Sequence, residues 1–274
     1  MLLRDRLLTR LREMGDAPDY VRLATEVLGI RNAPPGLARR LVSQALVLED
    51  RRDAWVEVGQ RICAAAPATA GVYVLRDADG QVLYVGKAIN LARRLRTHFA
   101  VRRWRGLKAP LARVAAAEWE EVGSELEALL REAVLIRDLQ PAVNVQVGPP
   151  DATGRRTPPA LARDVIVLVP AVDPVRVVVV GARADGGWLR LTLARDGSDL
   201  DAPARRLFRF FRSPLPARED PSPLAPIVYS WLASRGASAT RIDPHDAPTV
   251  DALRARLKTL MTDRDLFTER LEVR

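Results

Sequence analysis

The chain has 274 residues, 48% hydrophobic and 28% charged, so it has room for roughly two or three domains with real cores and is neither wholly disordered nor fibrous. One cysteine (Cys63) and two histidines (His98, His245) exclude a disulfide framework and the familiar zinc knuckles. The net charge of +9, from 43 basic and 34 acidic residues, tilts the choice of partner toward a polyanion, nucleic acid first.

All but three of the basic residues are arginine, so the placement of Lys87, Lys108 and Lys258 says more than the arginine total. No run of apolar residues is long enough to read as a membrane span or a secretion signal. The expectation is therefore a reduced, cytoplasmic protein with no membrane partner.

The N-terminal region predicts three short helices, over 2–14, 20–28 and, after Pro34-Pro35, 37–46. A short hairpin follows, pairing 47–48 with 55–58 across a polar turn. Three helices and a hairpin suggest a winged helix over 1–66, whose third helix would carry Arg39, Arg40, Ser43 and Gln44 into a groove of DNA. A small structural bundle that uses arginine for solubility is the other reading.

Residues 71–86, GVYVLRDADGQVLYVG, form two alternating runs around Asp79-Gly80, the signal for a two-residue hairpin turn. That turn pairs Ala78 with Gln81, Leu75 with Tyr84 and Tyr73 with Gly86. Val72, Val74, Leu83 and Val85 then line one face, while Tyr73 and Tyr84 share the other beside the open backbone of Gly86. Asn90 can cap a helix over 91–99 with an apolar stripe of Leu91, Leu95 and Phe99. Arg94 and His98 run along the edge of that stripe, and Arg93, Arg96 and Thr97 point away from it.

Between residues 93 and 108, Arg93, Arg94, Arg96, Arg102, Arg103, Arg105 and Lys108 meet no acidic residue, which makes this stretch the first place to look for phosphate contacts. Ser124 and Glu127 then match a capping box that opens a helix to about residue 139, ended by Gln140-Pro141. On it, Glu132 projects among Ala128, Leu135, Ile136 and Leu139. A carboxylate there is costly unless a cation answers it, and either an arginine or a metal ion would do so.

Residues 148–160 are Pro-rich and read as a linker. Beyond them, strands at 165–169, 175–180 and 188–193 and helices at 202–212, 224–235 and 250–262 predict a small α+β domain, 161–274, with no assigned role. Its RLFRFFR run could stack single-stranded bases on Phe208, Phe210 and Phe211, or bury them as core. The whole is expected to be an α+β multidomain chain. No phosphate-loop, His-Glu-x-x-His, Ser-His-Asp or dinucleotide pattern is present to support nucleotide hydrolysis, proteolysis or redox chemistry.

Taken together, the central residues resemble the GIY-YIG nucleases. Gly71-Val72-Tyr73 and Tyr84-Val85-Gly86 stand where the two naming tripeptides would be. Lys87-Ala88, Leu91, Arg94, Leu95, Phe99, Glu132 and Asn144 follow in order. The stretch 69–146 looks most like the nuclease domain of the UvrC excision-repair proteins and their short relative Cho. Val72 and Val85 replace isoleucines, and His98 stands where the UvrC branch usually has tyrosine. The downstream helix-hairpin-helix and second nuclease domain of UvrC are not recognisable, so a complete dual-incision protein is not expected.

The resemblance implies a central α/β domain over 67–147, a small antiparallel sheet flanked by helices. It also implies metal-dependent hydrolysis of DNA phosphodiesters, structure- or lesion-directed, as a single incision in repair. One Mg²⁺ or Mn²⁺ would be held by Glu132. Arg94 would bind the non-bridging oxygens, and Tyr73 would take the proton of the attacking water once Lys87, with His98, lowered its pKa. Tyr84 would order the water or the phosphate, and Asn144 would fix the geometry.

Arg93, Arg96, Arg102, Arg103, Arg105 and Lys108, with Arg39 and Arg40, would contact the duplex, branched or damaged DNA. Two rival readings are a binding module that kept the scaffold but lost its cutting or depends on a partner, and a restriction-type nuclease. No protein partner is identifiable in the sequence.

Overall fold

A computed structural model describes residues 3–15, 17–50, 52–100, 107, 109–145, 163–213, 224–235 and 239–262. The expected contacts Arg102, Arg103, Arg105 and Lys108, and the linker at 148–160, lie outside the described residues. The chain divides into two compact units: 1–65 with 76–81 and 95–116, and 66–75 with 82–94 and 117–274.

The first unit opens with four helices, α1 (Leu3–Met14), α2 (Tyr20–Glu26), α3 (Pro35–Asp50) and α4 (Arg52–Ala65). Leu7, Leu23, Ala24, Ala38 and Val42 form the shared core of α1, α2 and α3. Asp19 caps α2 by accepting from the Val21 and Arg22 amides at 3.0 Å each.

The expected hairpin is not there. Its outer strand is α4, because Trp55, Gly59 and Ile62 recur at helical spacing and are buried along one side. Without that hairpin the N-terminal region has no wing, and the winged-helix reading of 1–66 is corrected to a set of helices. Arg39 and Arg40 are exposed on α3, with the Arg39 guanidinium 5.7 Å from the centre of the Tyr20 ring.

The three-stranded sheet has the order β2 (Val82–Ala88), β1 (Gly71–Arg76), β3 (Ala116–Glu121). Two bonds flank the β1–β3 ladder, Ala115 N to Arg76 O at 2.8 Å and Val122 N to Ala70 O at 3.0 Å. Their crossing order makes the pair antiparallel.

The β1–β2 turn is one residue longer than expected. Asp77 N donates to Gln81 O and Gly80 N to Asp77 O, both at 3.1 Å, with Gly80 at φ 78°. This is a three-residue loop closed by a left-handed glycine, and Asp77, not Ala78, faces Gln81. An unbroken ladder from that pair would put Tyr73 and Tyr84 on opposite faces. Their ring centroids lie 5.8 Å apart, so the strands take up one further residue before the tyrosines and restore the expected shared face.

Three helices complete the site region: α5 (Leu91–His98), α6 (Glu125–Leu139) and α7 (Ala142–Val145). The expected signals set their ends. Asn90 Oδ1 accepts from Arg93 N at 2.8 Å, Ser124 Oγ from Glu127 N at 3.2 Å, and Gln140 turns left-handed at φ 47° before Pro141.

The C-terminal sheet is antiparallel, with the order β6 (Trp188–Ala194), β5 (Arg176–Ala182), β4 (Val165–Pro170), β7 (Arg241–Ile242). Strand β7, two residues long, was not foreseen. Helices α8 (Asp201–Arg212) and α10 (Val250–Thr262) cover one face through Ile166, Leu168, Val177 and Val179. Helix α9 (Leu224–Arg235) covers the other with Val167, Val178 and Val180. Burial on both faces explains why VIVLV and RVVVV do not alternate with polar residues.

The RLFRFFR aromatics are core, not a base-stacking surface. Phe211 is buried and Phe208 and Phe210 pack against the same cluster, with the Arg212 guanidinium 3.8 Å above the Phe208 ring.

Helix α6 joins this arrangement from the other side. Leu126 and Leu130 are buried in the same cluster as α9, β4 and β5. Leu130→Ala is therefore expected to destabilise the chain by about 3 kcal/mol, transfer and cavity costs together, read as a drop in the urea midpoint with the slope unchanged.

Candidate active site

The site is assembled around the second tripeptide. Gly86 lies against both phenols: a Cβ there would stand 2.8 Å from the Tyr73 hydroxyl and 2.7 Å from Tyr84 Cε1. Only a residue without a side chain lets the two rings close over the strand. Tyr73 is fully buried and Tyr84 half-buried.

Asn144, on α7, spends its side-chain amide on β2. Its Oδ1 accepts from Val85 N at 2.8 Å and its Nδ2 donates to Val85 O at 2.9 Å. The asparagine thus acts as an extra strand for one residue, and it fixes the backbone between Tyr84 and Gly86.

Charge in the site is partitioned. Burial pushes the Tyr73 phenol well above its ordinary range; Tyr84 adds to the rise, and Arg94 works against it. In return, the two tyrosines raise the Arg94 guanidinium. Burial also raises Glu132, against the charge and main-chain amide of Lys87 and, more weakly, the charge of Arg94.

Two expectations change here. The cation that answers Tyr73 is Arg94, whereas Lys87 answers Glu132. The net shift of Tyr73 is also upward instead of downward, because a fully desolvated phenolate costs more than one neighbouring guanidinium returns. The Tyr73 hydroxyl is buried and meets no good hydrogen-bond geometry with a protein group.

The other site residues are placed as follows. Arg94 is exposed on α5, as are Arg93 and Arg96. His98 closes α5, half-buried, with its ring edge-on to Phe99 at 5.3 Å. The division into units assigns it with 95–116, apart from the tyrosines, Lys87, Arg94, Glu132 and Asn144.

The donor set suits a hard divalent ion. Among the described residues no cluster of three or more His, Cys, Asp or Glu side chains forms a cage. That donor set fits an ion that keeps most of its waters and takes one carboxylate. Glu132, half-buried beside Lys87, has the chemistry of such a ligand, and the Tyr73 hydroxyl, which meets no protein partner in good geometry, is a polar atom such a hydrated ion would meet.

Sequence reasoning missed the long-range partner of the buried Glu127. Glu127 was legible as the capping-box partner of Ser124. Its second role, accepting from Arg190, 63 residues away on β6, left no local signal.

The family described as the UvrC-like GIY-YIG domain matches residues 69–145. Among curated relatives, the UvrABC system protein C of Desulforudis audaxviator is 42% identical over 79 residues, 29% of this chain and 13% of that protein. That of Paenarthrobacter aurescens is 45% identical over 83 residues, again 29% of this chain and 12% of the relative. The chain therefore spans only a small part of these proteins' length.

The crystal structure of the N-terminal endonuclease domain of UvrC from Thermotoga maritima, bound to magnesium as its catalytic cation, is 30% identical. It covers 31% of this chain and 94% of its own, with a TM-score of 0.26. On the family match and the curated relatives, residues 69–145 of this chain are a UvrC-like GIY-YIG domain.

Proposed function

We propose that this protein is a metal-dependent endonuclease that hydrolyses DNA phosphodiesters, structure- or lesion-directed, making a single incision in DNA repair. The observation that carries the reading is the convergence of Tyr73, Tyr84, Arg94, Lys87 and Glu132 around Gly86, with Asn144 locking the strand between them. A scaffold that only bound DNA would have no use for a half-buried carboxylate beside phosphate-binding cations.

Hydrolysis needs an oriented water, neutralisation of charge on the phosphate and help for the leaving oxygen. A Mg²⁺ or Mn²⁺ ion held by Glu132 supplies Lewis acidity to the phosphate and the leaving oxygen. Arg94 presents its planar fork to the non-bridging oxygens, a geometry lysine cannot reproduce.

Because burial keeps the resting Tyr73 protonated, its first task is to orient the attacking water by hydrogen bonding. It can accept a proton only once the reacting complex brings positive charge against it. Tyr84 orders the same water or the phosphate. Lys87 limits the cost of the Glu132 carboxylate. Arg93 and Arg96, exposed on the helix that carries Arg94, extend the cationic surface along the DNA backbone, and Arg39 and Arg40 on α3 offer further contacts.

The test is Mg²⁺-dependent cleavage of a panel of lesion-bearing duplexes, flaps, forks and plain duplex, with the modified or branched substrates expected to be cut preferentially. Glu132→Ala is expected to abolish cleavage while DNA affinity stays within about threefold, because it removes an interaction made at the reacting centre. Metal-dependent cutting retained by that variant would sink the reading.

Arg94→Lys is expected to lower kcat about 10²-fold. Asn144→Ala frees the Val85 main chain and is expected to cost about 2 kcal/mol of stability in a urea melt, with a fall in kcat larger than the rise in KM.

A further inference from the structure

One ion pair with a buried acid and an exposed arginine is left unused by this chemistry. Glu127, in the first turn of α6, is only 5% exposed. Its Oε2 accepts from the Gly123 amide at 3.2 Å. Its Oε1 accepts from Arg190 Nε at 3.2 Å, and Arg190 Nη2 closes a shorter contact on the same oxygen.

Arg190 stands on β6, the outer strand of the C-terminal sheet. Leu189, Leu191 and Leu193 face the α8–α10 side, so alternation sends Arg190 to the side where α6 and α9 pack.

The helical phase of α6 says why a fixed contact matters. Leu126, Leu130, Ala133 and Val134 pack into the cluster of β4, β5 and α9. On the opposite side, Ala128 and Leu135 pack against Val72 and Val122 of the nuclease sheet region. Glu132 follows Ala128 by four residues, so it shares the nuclease side. Apolar burial alone is non-directional and lets a helix slide or roll between two greasy surfaces. The charged fork on Glu127 is directional and sits about 7.5 Å down the axis from Glu132.

We infer that Arg190 is a positioning residue for the nuclease site, and that the C-terminal sheet is a working part of that site's scaffold: through Glu127 it sets the rotation and height of α6 and so aims Glu132 at β2. The inference rests on the nuclease reading above and adds to it a role for the C-terminal region.

The experiment uses the full chain and compares wild type with Arg190→Met, which keeps the stem and loses the charge, and Arg190→Lys, which keeps the charge and loses the fork. Circular dichroism first sets a temperature at which each variant is folded. Arg190→Met is expected to lower kcat about 10- to 100-fold with KM changed less than about threefold, since a small misplacement of a reacting group has that effect. It is also expected to raise the Mg²⁺ concentration for half-maximal cleavage several-fold. Mn²⁺ binding to the DNA-free protein, followed by loss of the free-ion EPR signal, is expected to weaken in parallel. Arg190→Lys is expected to recover part of all three.

A folded Arg190→Met with wild-type kcat, Mg²⁺ dependence and Mn²⁺ binding overturns the inference. If Arg190→Met does not fold, Arg190→Lys decides: a lowered kcat with the same Mg²⁺ shift supports the inference, and wild-type values overturn it. A wild-type chain that cuts no DNA defeats the nuclease reading instead, and the Mn²⁺ titration still decides whether Arg190 aims Glu132.

Discussion

Helix α6 is apolar on two opposite sides, and both sides are buried. One meets the valines of the C-terminal sheet and the other meets the nuclease sheet region. A helix held in this way has little freedom to tilt, which leaves its rotation and height to the directional contact of Glu127 with Arg190. Glu132 is carried by that helix. The chemistry proposed for this chain needs one carboxylate held beside β2, and the molecule supplies it by making that helix common to two cores.

The electrostatics of the site have the same economy. Tyr73 and Glu132 are both desolvated, and both are pushed toward their neutral forms. Two cations oppose this, Arg94 at the phenol and Lys87 at the carboxylate, and neither fully reverses it. A site left short of positive charge in this manner is suited to receive a cation, and one edged by exposed arginines on α5 is suited to receive a polyanion. The asparagine on α7 takes no part in the charge balance. Its two bonds to Val85 hold the strand that carries Tyr84 and Gly86 flat against the rest.

The residues of the site were legible in the chain because their signals are local. Alternation brought the two tyrosines to one face beside Gly86, a capping asparagine started the helix of Arg94, and a capping box started the helix of Glu132. The hairpin turn shows where such reading stops being reliable in detail. Asp79-Gly80 announced a tight turn, yet Asp77 accepts from Asp79 and Gln81 and stabilises a loop one residue longer. The shared face of the tyrosines survives because the strands absorb the offset. Residues 52–65 failed for a different reason: a short apolar run fits a strand or a buried helix equally well until its partner is known, and here Trp55 finds its partner in Phe99.

What the sequence determined by itself is the elements that carry the candidate site residues, since propensity, capping and periodicity act over a few residues. It also fixed the extended, two-sided valine strands of the C-terminal region. Only the tertiary structure decided which cation answers which acid, that the aromatics of α8 are core, and that Glu127 is tied to Arg190. Desolvation and ion pairing depend on what surrounds a group in space, and the groups concerned come from segments tens of residues apart, whose meeting no local pattern encodes.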